Sequence, residues 1–124
     1  PSILLGTKIL HQFCYVTTET ILSAEGYINQ IPSYYTFVSE KSLKRSVNEY
    51  NFLCRQLNEK YLYNREGVYK ENGVQKASGE RAVADMLYFN PTYHFDKEPD
   101  WKKVKKVQQQ VGYPLTASRY DTAS

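Results

Sequence analysis

The stretch Val68-Tyr69-Lys70-Glu71-Asn72-Gly73-Val74-Gln75-Lys76-Ala77-Ser78-Gly79-Glu80-Arg81-Ala82-Val83-Ala84-Asp85-Met86-Leu87-Tyr88-Phe89 places a hairpin signal directly before a helix signal. Asn72-Gly73 sits between two short runs, and both residues tolerate the positive φ of a two-residue type I′ turn. Ser78 offers a hydroxyl to the free N–H groups of a first helical turn, and Glu80 places negative charge there. Ala82, Val83, Ala84, Met86, Leu87 and Phe89 cover most of the helix circumference, which predicts a largely buried helix. Only Arg81, Asp85 and Tyr88 share a polar stripe. Arg81 and Asp85 are read as a surface or half-buried i, i+4 pair, worth about 0.3 kcal/mol if exposed. Asn90-Pro91 ends the helix.

Working outward, the residues before this stretch predict strands. Tyr35-Thr36-Phe37-Val38 is aromatic and β-branched. Residues 45–57 suggest a strand pair turning near residues 48–51, and residues 61–63 a further short strand. Upstream, residues 2–10 read as a short helix, and residues 18–25 as a second, with Thr17 or Thr18 as N-cap and Gly26 as its left-handed stop. Downstream, Asp100 caps a helix over residues 101–111, which Gly112 and Pro114 stop. Trp101, Val104, Val107 and Val111 form its inner face, with Lys102, Lys103, Lys105 and Lys106 opposite. Helices flanking a block of strands predict an α+β fold: one domain over residues 1–114, a mainly antiparallel sheet with helices packed on it. Residues 115–124 read as a tail, loosely ordered or holding a short helical turn.

A length of 124 residues suits one domain with a genuine core. The start at Pro1, without an initiator Met, leads us to expect a fragment or a processed product. No signal peptide and no apolar run of membrane-spanning length is legible, so a soluble, cytoplasmic protein without a membrane partner is expected. The net charge of +3 does not by itself imply nucleic acid, but its distribution is uneven. Lys41, Lys44 and Arg45 form one basic group and Lys102, Lys103, Lys105 and Lys106 another. The ordinary reading of such runs is a solvated face. The functional reading is contact with phosphates or with a partner.

Motifs for catalysis are missing. There is no phosphate-cradling Gly loop, no Gly-x-Ser-x-Gly and no His-Glu-x-x-His. Cys14 and Cys54 read as reduced, partly buried thiols, and His11 with Cys14 is the only close metal-type pair, so neither metal nor cofactor is expected. His94, beside Asp96, reads as a packing or loop-bonding residue rather than an acid–base unit. A divergent metal-dependent nuclease would have to recruit Glu80, Asp85, Asp96 or Glu98, whose spacings do not converge. With 12 tyrosines, a protein-interaction surface including Tyr34, Tyr35, Tyr61 and Tyr63 is the remaining alternative.

Ser78-Gly79-Glu80-Arg81-Ala82-Val83-Ala84-Asp85-Met86-Leu87-Tyr88, with Tyr93, Phe95 and Asp96 beyond it, resembles the Ser-Pro-Glu-Arg-Ala-x-x-Asp-x-Leu-Tyr signature of the AbiEi-like antitoxins. These belong to the bacterial type IV toxin–antitoxin systems of abortive infection, a phage defence. Tyr15-Val16-Thr17-Thr18-Glu19-Thr20-Ile21-Leu22 resembles the helix that opens the same family's C-terminal domain, and the likeness runs over about residues 3–112. The resemblance implies a non-enzymatic antitoxin and transcriptional regulator countering a nucleotidyltransferase-like toxin. Ser78, Glu80, Arg81, Asp85 and Tyr88 would be its structural signature. The implied partners are operator DNA, bound through the full-length protein, and the toxin or its RNA target. Two departures stand out. Gly79 replaces the family's Pro, and the winged-helix DNA-binding domain expected ahead of this region is not encoded in these residues. The toxin's Gly-Ser plus carboxylate site is absent too, because Ser78-Gly79 has the reverse order.

Overall fold

The computed structural model describes residues 12–119. The fold is α+β, built on one six-stranded mixed sheet, mainly antiparallel, with helices packed on it. In chain order the elements are β1 (Cys14–Val16), α1 (Glu19–Ala24), β2 (Tyr35–Ser39), β3 (Leu43–Val47), β4 (Tyr50–Gln56) and α2 (Glu59–Leu62). There follow β5 (Val68–Glu71), β6 (Val74–Ala77), α3 (Gly79–Phe89), α4 (Trp101–Val111) and a 3-10 turn, Thr116–Arg119. The strand order is β3-β4-β2-β1-β6-β5. Pairs β1–β2, β3–β4 and β5–β6 are antiparallel, while β1–β6 and β2–β4 are parallel. The helix expected over residues 2–10 lies outside the described residues.

Both hairpins close on two residues of positive φ. Asn72 and Gly73 turn β5 into β6 at φ 51 and 80, as the sequence predicts. Asn48 and Glu49 turn β3 into β4 at φ 49 and 73, so Tyr50 and Asn51 belong to the strand rather than to the turn. Residues 61–63 are not a strand. Asn58 accepts a hydrogen bond from Lys60 N and starts the single helical turn α2, which buries Tyr61 and Leu62. Their strand-like composition reflects burial, which aromatic residues seek in either conformation.

Helix α1 forms as expected and Gly26, at φ 79, stops it, but Thr18 does not cap it. The Thr18 hydroxyl donates to Thr17 O at 2.7 Å and accepts from Arg55 at 2.9 Å, and its backbone holds φ 60. That is a strained conformation for a β-branched residue, costing on the order of 1–3 kcal/mol. The free N–H of Thr20 instead donates to Thr36 Oγ1 on β2, at 3.0 Å. Arg55 of β4 then clamps Glu19 with two bonds of 2.7 and 2.8 Å. Burial pushes the Glu19 carboxyl up, but Arg55 outweighs it and the net shift is downward.

Both long helices match their sequence signals. Ser78 Oγ accepts from Arg81 N and Asp100 Oδ1 from Lys103 N, while Gly112 closes α4 at φ 94. Gly79 makes room for a neighbouring ring. A Cβ there would meet Tyr27 Cε2 at 3.0 Å, so glycine lets the Tyr27 ring lie against the helix start. The first part of the tail is docked, with the Gln108 side chain donating to Thr116 Oγ1 and accepting from Ala117 N. No helix among the described residues is long and apolar enough to cross a membrane.

Gly67, at φ 72, lies where the chain passes over α3, and an added Cβ would stand 2.8 Å from Arg81 Cβ. Gly67→Ala is therefore expected to destabilise by about 2 kcal/mol, through left-handed strain and displacement of Arg81. Gly73→Ala, with nothing within 4 Å of its Cβ, should lose only about 1 kcal/mol. Urea unfolding of the two variants checks the difference.

Candidate functional site

Two of the three residues in the polar stripe of α3 do not face solvent. Arg81 and Asp85 are both 0% exposed, where a surface or half-buried pair was expected, while Tyr88 near the helix end is exposed. The helix is apolar nearly all round, so its neighbours, α4 among them, enclose the pair along with the apolar residues. The pair is partnered to completion. Arg81 Nε donates to Asp85 Oδ1 at 3.1 Å, and its two terminal nitrogens donate to Asn64 O, Glu66 O, Tyr61 O and the Tyr15 hydroxyl at 2.6–2.9 Å. All five guanidinium N–H groups are thus occupied. Asp85 accepts from Arg81 and Tyr113 on Oδ1 and from Tyr15 and Thr17 on Oδ2, filling its four lone-pair positions. No buried side-chain nitrogen or oxygen among the described residues lacks a partner.

These partners come from segments far apart in sequence. Tyr15 and Thr17 project from the end of β1, on the sheet face that carries the helices. Tyr61, Asn64 and Glu66 offer backbone carbonyls from α2 and the chain after it, and Tyr113 follows α4. Sequence reasoning found the Arg81–Asp85 spacing and missed every other member. The available signal was the helix composition itself, since a stripe on an otherwise apolar helix needs interior partners.

Electrostatics follow from this enclosure. Burial pushes the Tyr15 and Tyr113 hydroxyls well above their ordinary range, and the Asp85 carboxylate pushes them further. Burial alone would lower Arg81, but the Asp85 charge more than compensates and raises it. Burial also raises the two thiols, Cys14 to about 11 and Cys54 to about 12. The sheet register sets Cys14 opposite Ser39 and Cys54 opposite Phe37, so the thiols stand on different, non-adjacent strands and are free. They are inert core groups, more deeply buried than expected.

The other signature residues have structural positions. Ser78 is the cap of α3 and Glu80 is half-buried in its first turn. Tyr88 stacks on Tyr113 at 4.9 Å and meets Tyr61 edge-on at 5.1 Å. Tyr61 is therefore interior, and the expected surface of Tyr34, Tyr35, Tyr61 and Tyr63 does not exist as one patch. Tyr34 and Tyr35 instead join Tyr50, Pro32 and the fully protruding Ile31 around an open groove of about 410 Å³.

The basic groups sit on different elements. Lys41, Lys44 and Arg45 are exposed at the β3 edge, but Lys44 and Arg45 point to opposite faces, with Lys44 over the Tyr34 ring at 5.0 Å. On α4, Lys102, Lys103 and Lys106 are exposed and Lys105 is half-buried at the margin. The four candidate carboxylates of a nuclease do not converge: Asp96 and Glu98 line one cavity, but Asp85 lies apart from it. Asp85 is interior, Asp96 Oδ2 accepts from Asn29 N, and Glu98 Oε1 accepts from Trp101 Nε1. Among the described residues no group of three His, Cys, Asp or Glu side chains is placed to hold a metal ion. His94 is not a packing residue: its side chain is 87% exposed, 3.7 Å from Asp96. Comparison with protein-family models, with curated proteins and with solved structures gave no match to this chain.

Removing one partner of the buried pair strands the other charge. Arg81→Met and Asp85→Leu should each destabilise by about 3–5 kcal/mol, and the double variant by clearly less than their sum. A denaturation double-mutant cycle measures that coupling.

Stability should also fall at alkaline pH. The thiols and tyrosines keep their protons in the folded state at pH values where the unfolded chain has lost them. Their contribution is complete below about pH 9 and is lost as pH rises towards the folded values. Each such proton steepens the decline by about 1.4 kcal/mol per pH unit. Tyr113→Phe should flatten the decline above pH 10, measured as the urea midpoint against pH.

Proposed function

We propose that this chain is a non-enzymatic, antitoxin-type regulatory domain of the AbiEi-like kind, which counters a nucleotidyltransferase-like toxin by binding. The observation that carries this reading is the closure of the Arg81–Asp85 network. Arg81 and Asp85, the charged pair of the resemblance, are interior scaffolding, and Asp85, which a carboxylate enzyme would recruit, has no lone pair to spare. Activity then belongs to the surface that the scaffold holds in shape.

The strongest surface feature is α4. Residues 101–111 contain four lysines and no acid. Lys102 and Lys106 are i, i+4 neighbours of like charge, and Lys102 and Lys103 occupy the first turn, where the helix dipole disfavours cations. An ordinary solvated face interleaves acids with lysines. This one retains self-repulsion that a polyanion would relieve. The partners in this reading are operator DNA, through the full-length protein, and the toxin or the RNA it attacks. The groove beside Ile31 supports a second, plainer reading as a protein-interaction module.

The test is growth of cells expressing the nucleotidyltransferase-like toxin encoded beside this protein. Co-expression of the wild-type chain should restore growth. Lys102→Glu with Lys106→Glu should weaken rescue while leaving the fold intact or stabilising it by a few tenths of a kcal/mol. A folded wild-type chain that leaves the toxin effective, with and without its upstream coding sequence, overturns the reading.

A further inference from the structure

The segment between α3 and α4 forms a cavity that the network and the lysine face do not use. Asp96 N and Lys97 N both donate to Tyr27 O, at 2.8 and 3.3 Å, and Asn29 N donates back to Asp96 Oδ2 at 2.8 Å. These bonds fix residues 96–97 against the loop after α1. Lys97 reaches away, its Nζ bonding Glu25 O at 2.9 Å over the Tyr27 ring. The remaining side chains, Tyr93, Phe95, Trp101, His94, Asp96 and Glu98, line an open cavity of about 310 Å³.

Three of these walls are aromatic and nearly perpendicular to one another in sequence. Tyr93 and Phe95 meet at 5.2 Å and 68°, and Phe95 and Trp101 at 6.0 Å and 71°. Their bodies pack on the core while each remains partly open. Glu98 Oε1 accepts from Trp101 Nε1 at 3.0 Å, which fixes the indole and seats a carboxylate at its edge. Asp96 supplies a second carboxylate. No lysine or arginine lines the cavity; Lys105, one turn beyond Trp101 on α4, stands outside it.

We propose that this cavity binds an alkylammonium group. Aromatic faces attract an organic cation, a weakly hydrated quaternary ammonium more than the compact ammonium of lysine, and its methyl or methylene surface gains by leaving water. The carboxylates add charge attraction and disfavour anions. A bare divalent ion would need a cluster of oxygen ligands, and no three carboxylate or imidazole groups among the described residues converge to supply one. The same chemistry arises from a free quaternary amine or from a lysine side chain of a partner protein. The inference does not rest on antitoxin activity or on the lysines of α4, although Tyr93, Phe95 and Asp96 also belong to the stretch that carries the resemblance.

Trp101 is the only tryptophan, so fluorescence excited at the red edge, beyond tyrosine absorption, reports on this site. The protein is titrated with choline and with a capped lysine amide, at ionic strength matched with potassium chloride. The control is the neutral carbon isostere of choline, in which carbon replaces nitrogen. A saturable change in the millimolar range is expected with at least one cation, and the tighter of the two identifies the source. The neutral isostere should bind about ten-fold more weakly. Glu98→Gln keeps the acceptor for the indole and removes the charge, and should weaken binding about five-fold. No saturation with either cation, equal binding of the isostere, or an unchanged Glu98→Gln variant overturns the proposal.

Discussion

The buried ion pair between Arg81 and Asp85 is the constraint on which the rest of the structure depends. Two charges taken out of water incur a desolvation cost of several kcal/mol each, which their mutual attraction offsets only when every remaining donor and acceptor is met. Here all of them are met, and the partners are drawn from β1, from the chain between α2 and β5, from α3 itself and from Tyr113. An apolar pair of equal volume could fill the same space, but it could not bond the carbonyls of Tyr61, Asn64 and Glu66. Asn64 and Glu66 belong to the loop between α2 and β5, and the guanidinium ties their carbonyls, with that of Tyr61 in α2, to the interior.

This arrangement divides the molecule into a scaffold with little chemical freedom and a surface with a good deal. Burial holds Cys14, Cys54, Tyr15 and Tyr113 in their protonated forms at neutral pH, and Asp85 keeps Arg81 charged. The groups free to meet other molecules are the lysines of α4, the groove around Ile31 and the aromatic cavity ahead of α4. The helix α4 joins two of these, with its lysines on the outer side and Trp101 at its start. One helix thus presents a cationic stripe and part of a cation-attracting pocket on different sides, which suits contact with more than one kind of partner.

What could be read from the sequence was local. Ser78 and Asp100 announce their helices because a cap acts within three residues, and Asn72-Gly73 announces its hairpin because positive φ is a property of those residues themselves. What could not be read was non-local. The parallel pairing of β2 with β4 leaves no mark on either strand, and neither does the place of β3 at the sheet edge, outside β4. Tyr61 and Tyr63 carry strand-like composition, yet Asn58 and the Tyr88–Tyr113 stack make a helical turn of that segment. The candidate site divides in the same way. Arg81 and Asp85 were visible as a pair, but their burial depended on Tyr15 and Tyr113, which no spacing connects to them. Thr18 misled because its hydroxyl is used by Arg55 rather than by the helix it precedes.

The same network sets an order of events at birth. Asp85 meets Tyr15 from 70 residues upstream and Tyr113 from 28 downstream, so its shell stays incomplete at least until Tyr113 has been made. At ~5–20 residues per second that moment comes roughly five to twenty seconds after Tyr15 is made. Until then α4 and Tyr113 cannot cover α3, and the nascent chain carries that side of the helix open, within reach of chaperones and proteases. A message cut short before Tyr113 would yield a product that quality control can distinguish from the finished domain.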